Sequence, residues 1–227
     1  IDSIIDFGEN GFKGVLVETI NIMVDSTKKP VSTKVISTTM SKSIVQKSKY
    51  IFDNNLPYWI IYRDDFFDKV FSEMKFGIFD VFRDRQITNQ NTSQSKSDRY
   101  AIRVVKSRNI LDTGELVDID GYDTFIDLDT LSKFTVAKFI NNTDVYLTPN
   151  MTYKPRIIRK GAGYVVNGSV AILIPKDENL YLTDKQLKYI SSDEFRAFYR
   201  IARNYQTRSL NIDKTSCYWF GMRIDNK

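Results

Sequence analysis

The chain reads as an α+β protein, with a mixed, mostly antiparallel sheet and a few helices. Three observations lead there. Short β-branched runs crowd residues 144–174, broken by Pro149, Pro155, Gly161, Gly163 and Gly168. Helical periodicity is confined to a few segments, strongest at 65–76 and 191–205. No internal repeat organises the rest.

In chain order, Ile4–Phe7, the turn Gly8-Glu9-Asn10-Gly11 and Val15–Val24 read as two strands around a glycine turn. From Ser26 to Lys49 the composition shifts: sixteen of 24 residues are Ser, Thr or Lys, with no acid. That stretch reads as a connector, with Val31–Ser37 alternating like an edge strand. Pro57–Arg63 is a strand candidate, and Asp65–Phe76 a helix with Phe66, Phe67, Val70, Phe71 and Met74 on one face. Strands over 77–82 and 100–105 flank a polar loop, 84–98. Leu131–Ile140 reads as a short helix. Strands follow at 144–148, 156–158, 164–166 and 169–174, then a short helix at 183–189. The segment SSDEFRAFYRIARNYQTRSLNID (191–213) opens with a capping-box pattern, Ser191 with Glu194. Its apolar stripe is Phe195, Phe198, Tyr199, Ala202 and Tyr205, and beside that stripe run Arg196, Arg200 and Arg203. Ser216–Phe220 closes as a strand.

Composition limits the chemistry. Histidine is absent, which removes Ser-His-Asp and Cys-His catalysis and the usual zinc sites. The one cysteine, Cys217, cannot form an internal disulfide, which suits a reducing, cytoplasmic setting. No apolar run is long enough to span a membrane. Ile1 stands where a starting Met would, so the chain reads as a piece of a longer protein. The net charge is +5, from 33 basic and 28 acidic residues. Its distribution is uneven. Residues 83–108 hold Arg83, Arg85, Lys96, Arg99, Arg103, Lys106 and Arg108 against Asp84 and Asp98, whereas 112–129 holds seven acids and no base. One positive face with Arg, Tyr, Asn and Gln interleaved suits phosphates and base edges.

Arg, Gln and Asn make bidentate contacts to purine edges. Arg83, Arg85, Gln86, Arg108, Asn109, Tyr153 and Arg156, at strand ends and in a proline-stiffened loop, are the candidates for base or groove contact. Arg196, Arg200, Arg203 and Arg208 are the candidates for phosphate. No P-loop is present. An Asp65, Glu73, Lys75 set would suit a metal-dependent nuclease, and a basic protein-interaction module is a further alternative.

Taken together, FGENGFKGVLVETINI, LPYWIIYR, RDRQITN, VVKSRNI, LTPNMTYKPR, NGSVAILIP and the 191–213 segment resemble the C-terminal part of gamma-class adenine-specific DNA methyltransferases of type II and IIS restriction–modification systems. The resemblance implies that residues 1–25 are the last strands of an α/β catalytic sheet, 26–49 a connector and 50–227 a target recognition domain. It implies double-stranded DNA, the rest of the methyltransferase chain and a restriction endonuclease subunit as partners, and Phe12 as a ring stacking on a flipped adenine. The family's cofactor loop and its Asn-Pro-Pro-Tyr-type tetrapeptide are not found in this chain. S-adenosylmethionine is therefore expected in the parent protein and not here.

Overall fold

The computed structural model describes residues 1–206 and 211–224. The fold is α+β, with antiparallel pairing dominant among the described residues. The chain divides into two compact units, one of residues 1–72 and 197–209, the other of residues 73–196 and 210–227.

The first unit is built on a four-stranded sheet of β1 (Ser3–Gly8), β2 (Thr19–Met23), β3 (Ser32–Ser37) and β4 (Lys42–Lys47), in the order β2-β1-β3-β4. β1 and β3 run parallel; the other pairs are antiparallel. Residues 26–49, expected as a connector, thus supply two of the four strands. Alternation sends Ile4, Thr33, Val35, Ser37 and Gln46 inward, where they are buried. Met23 and Val45 share the opposite, exposed face. The loop carrying Phe12, Val15, Leu16 and Val17 is exposed too, and only its last residues become strand.

A short helix, α1 (Ser48–Ile51), follows β4, and α2 spans Asp65–Ser72. Asp64 caps α2 by accepting from the Phe67 amide at 2.8 Å. The helix ends before Glu73, so Met74 and Lys75 do not extend its apolar face. Residues 57–63, expected as a strand, are buried in part but irregular. Their backbone is satisfied by side chains: the Gln46 amide donates to Ile61 O at 3.2 Å and to Arg63 O at 2.5 Å, and the Ile61 amide donates to Asn204 Oδ1 at 2.8 Å.

The second unit contains β5 (Met74–Lys75), β6 (Phe79–Arg83), β7 (Thr92–Ser93), β8 (Ile102–Val105), β9 (Thr124–Ile126), α3 (Leu128–Leu131), β10 (Tyr146–Pro149), β11 (Ile158–Arg159), β12 (Tyr164–Val166), β13 (Val170–Pro175) and α4 (Asp184–Ile190). Next come α5 (Asp193–Ala202), whose residues from Ala197 belong to the first unit, and β14 (Met222–Arg223). Two four-stranded sheets, β11-β10-β13-β6 and β12-β8-β9-β7, and the ribbon β14-β5 make up its strands. Val104, Val165, Val170, Leu147, Ile172 and Ile126 are fully buried in one core. Each such side chain contributes roughly 1.5–3 kcal/mol relative to exposure.

Several local elements differ from the sequence reading. The helix expected at 131–140 is α3 plus a 3₁₀ turn over Thr135–Phe139. Ser216–Trp219 is a 3₁₀ turn and not a strand. The long helix is shorter than 191–213. Ser191 closes α4, and it is Ser192 whose hydroxyl accepts from the Phe195 amide, at 3.2 Å, to start α5.

Candidate nucleic-acid interface

At one end of the second unit's sheets, segments far apart in sequence meet. β6 pairs with β13 so that Arg83 lies opposite Ala171, and β10 pairs with the same strand so that Pro149 lies opposite Val170. The chain leaving β6 and the chain leaving β10 therefore emerge beside the turn 167–169. The segment after β8 joins them: the Ser107 amide donates to Ser169 Oγ at 3.0 Å, and Asn167 N to Val105 O at 3.4 Å. Gly168 fits because it has no side chain; a Cβ there would lie 2.7 Å from Asp84 O.

Asn150 ties this rim together. Its Oδ1 accepts from Arg83 at 3.3 Å and from the Ile212 amide at 3.1 Å, while its Nδ2 donates to Gly168 O at 3.1 Å. Asp84, nearly fully buried, shapes the next turn by accepting from the Gln86 and Ile87 amides at 3.1 and 2.8 Å. Rotamers and loop paths fixed in this way lose less entropy when a ligand binds.

The outward groups on the rim are Arg85, Gln86, Arg108, Met151 and Tyr153. The Arg108 guanidinium stacks 5.1 Å from the Tyr122 ring centroid, and Lys106 Nζ lies 4.0 Å from the same ring. Burial pushes the Lys106 ammonium pKa below its usual range, against the opposing pull of the Asp123 carboxylate.

Other expected contact residues are placed differently. Asn109 is fully buried, and its Nδ2 donates to Asp123 Oδ1 at 2.6 Å and Val117 O at 3.0 Å, while its Oδ1 accepts from Lys106 N at 2.8 Å. It cannot reach a base because its amide is already used. Gln86 is exposed, but its Oε1 accepts from the Thr135 amide at 2.9 Å. Arg156 is a clamp: it donates to Ile110 O at 2.9 Å and Lys154 O at 3.0 Å, and pairs with Asp112 at 3.2 Å. Lys154 also binds Asp112 and is the leading cause of that carboxyl's lowered pKa. A few residues on, Lys160 is buried and donates to Ile140 O and Gly161 O at 2.9 and 2.7 Å.

The arginine row on α5 is likewise dispersed. Arg196 pairs with Asp193 at 3.0 Å. Arg203 is only 8 % exposed, donating to Tyr199 OH at 3.1 Å and Gln206 at 3.2 Å. Arg200 is exposed, stacked over Tyr205. Arg208 lies outside the described residues. Phe12 is 63 % exposed. Of the expected nuclease set, Glu73 binds Arg223 at 2.6 Å, and Lys75 sits in β5 and not on a helix. Among the described residues, no group of three or more Cys, Asp or Glu is placed to hold a metal ion. Nor is any described helix long and apolar enough to cross a membrane.

Sequence reasoning missed Asn150 and Lys160. Asn150, just after a proline at a strand end, was readable as part of the loop but not as its centre. Lys160 follows Lys154, Arg156 and Arg159 in sequence, and nothing local distinguishes it from those bases.

A rigid rim carrying arginine, tyrosine and amide groups defines a scaffold suited to a polyanion. No protein-family model matches the chain. The chain is similar to the methylenetetrahydrofolate–tRNA-(uracil-5-)-methyltransferase TrmFO 2 of Mycoplasma mycoides subsp. mycoides, at 25% identity over 99 residues, 44% of this chain and 22% of that protein. This corrects the resemblance drawn from the motifs. The similarity found is to an enzyme named for tRNA, not to an adenine-specific DNA methyltransferase. The reading as the DNA specificity part of a restriction–modification enzyme is overturned with it.

Proposed function

We propose that this chain is an RNA-binding part of an RNA-modifying methyltransferase, gripping its substrate at the rim around Asn150. The observation that carries the reading is the 99-residue similarity to a tRNA methyltransferase. The rim supports it chemically. Arg85 and Arg108 are cations with rigid planar heads, which suit phosphates and base edges alike. Tyr153 offers a ring on which an unpaired base can stack, the usual way proteins hold single-stranded RNA loops. In this reading, transfer of the methyl group and its cofactor belong to the remainder of a longer protein.

The test is fluorescence anisotropy of the full chain with labelled tRNA across a salt series. Saturable binding is expected, weakened at least about tenfold in the Arg85→Ala, Arg108→Ala double variant, with a shallower dependence on salt. No binding at low salt, or equal affinity for a double-stranded DNA of the same length, would sink the reading.

A further inference from the structure

The first unit contains a cleft of about 310 Å³ that the rim does not involve. Its volume falls at the low end of small-molecule sites, roughly 300–1,000 Å³. Two rings line it, Trp59 and Tyr205, with two carboxylates, Asp6 and Glu18, and the Asn204 amide.

The construction is rigid. Asn204 and Tyr205 both adopt positive φ, 49° and 53°, a costly backbone for residues with side chains. The Asn204 side chain makes use of that geometry: Nδ2 donates to Trp59 O at 2.8 Å and Oδ1 accepts from Ile61 N at 2.8 Å. One strained residue thereby fixes the segment that presents the indole. Phe52 packs edge-on against Trp59 at 5.1 Å, and Tyr62 packs edge-on against Tyr205 at 5.5 Å. The Asp6 carboxylate is oriented as well. Its Oδ1 accepts from Gly8 N at 2.9 Å and its Oδ2 from Tyr62 OH. Each oxygen has two lone-pair sites, so each retains acceptor capacity.

The lining states what the ligand must be. Two carboxylates repel phosphate and ask for N–H donors. Two aromatic walls ask for a flat ring. We propose that this cleft binds a guanine base, with the adjacent ring N1–H and 2-amino group donating to Asp6 and the ring packed on Trp59. Adenine is the wrong partner, because it presents a lone pair at N1 where guanine presents a hydrogen. The base can come from a free nucleoside or from an unpaired nucleotide in a strand. The inference rests on this cleft and not on the RNA reading of the rim.

Only Trp59 and Trp219 are tryptophans, and Trp219 is fully buried, so quenching of indole fluorescence reports the cleft. The full chain is titrated with guanosine, inosine and adenosine, and then with single-stranded RNA pentamers carrying one guanosine or one adenosine at the centre. Saturable quenching is expected with guanosine, about tenfold weaker with inosine, which lacks the 2-amino group, and weaker again with adenosine. Asp6→Asn should bring guanosine and inosine together, whereas a variant that merely folds poorly would weaken both in proportion. Binding of the nucleoside identifies a free-base site; binding of the guanosine pentamer alone identifies a strand site. Adenosine binding as well as guanosine, or no saturable quenching by either form, overturns the proposal. So does a guanosine preference that survives Asp6→Asn. Loss of tRNA binding in the Arg85, Arg108 double variant with nucleoside quenching intact separates this site from the rim.

Discussion

The Asn109 amide donates to the Asp123 carboxylate at 2.6 Å, and the same carboxylate accepts from Arg103 at 3.3 Å and from the Ile119 amide at 3.2 Å. Asn109 is therefore the centre of a buried polar network, not a reader of bases. Truncation leaves the Val117 carbonyl, the Lys106 amide and Asp123 each short of a partner. Asn109→Ala should cost roughly 2–3 kcal/mol in urea unfolding, as expected for a buried network broken at one member. Its tRNA affinity, measured where the variant is folded, should match that of the parent chain. A large affinity loss with unchanged stability would return Asn109 to the binding surface.

Tyr153 offers a separate test of stacking. It is 56 % exposed, in the loop that Pro149 and Pro155 stiffen. Tyr153→Ala should weaken binding of single-stranded RNA by about 1–3 kcal/mol, while Tyr153→Phe keeps the ring and most of the affinity. Unlike the arginine variants, neither should change the salt slope. Equal losses in both variants would show that the hydroxyl, and not the ring, makes the contact.

The rim also depends on an atom that is missing. Gly168 lets the turn between β12 and β13 lie against Asp84, where a Cβ would be 2.7 Å from a backbone oxygen. A carbonyl cannot swing aside as a lysine tip can. Gly168→Ala should therefore destabilise the chain by roughly 1–3 kcal/mol, the usual cost of overpacking. It should also lower tRNA affinity, because relieving the clash moves the turn and draws its residue-168 carbonyl away from the Asn150 amide that donates to it. Stability and affinity both unchanged would mean that the turn has room to move.

What the sequence revealed follows from how local each signal is. The short helix expected at 183–189 is present as α4, and strands near 164–166 and 170–175 lie where β-branched runs predicted them. These depend on neighbours within a few residues. The stretch 57–63 looked like a strand for the same reason, yet its backbone partners are Gln46 and Asn204, whose distance in sequence hides them. Periodicity on α5 located the buried Phe195, Phe198 and Tyr199 correctly. It could not show that Arg203 lies back on Tyr199 while Arg200 faces outward. A row of like residues fixes an angle around the helix, not what covers it. Of the rim, the segments around Arg85, Arg108 and Tyr153 were legible as polar loops. That they meet at one place depends on strand register, which no composition encodes.

Lys160 gives a prediction with a sign. The residue is 1 % exposed, its ammonium held by two carbonyl oxygens and lying 4.4 Å from the Tyr164 ring centroid, and no carboxylate pairs with it among the contacts described. Burial lowers its pKa from 10.5 to about 8. The unfolded chain then holds a proton that the folded chain has lost, throughout the window between about pH 8 and 10.5. Stability must rise with pH wherever the unfolded state binds more protons. The contribution of this group should therefore grow from about pH 8 upward, with a slope of at most about 1.4 kcal/mol per pH unit, and level off near the unfolded value. Below pH 8 both states are protonated and the slope from Lys160 vanishes, leaving the full cost of a buried charge. Lys160→Met keeps the length of the stem and removes the charge. Its urea midpoint should exceed that of the parent chain at pH 7, and the two should converge as pH rises toward 10. If the difference between the two chains instead stays flat from pH 8 to 10 and the parent chain loses stability only above about pH 10.5, the two carbonyl bonds outweigh desolvation and the folded pKa is raised.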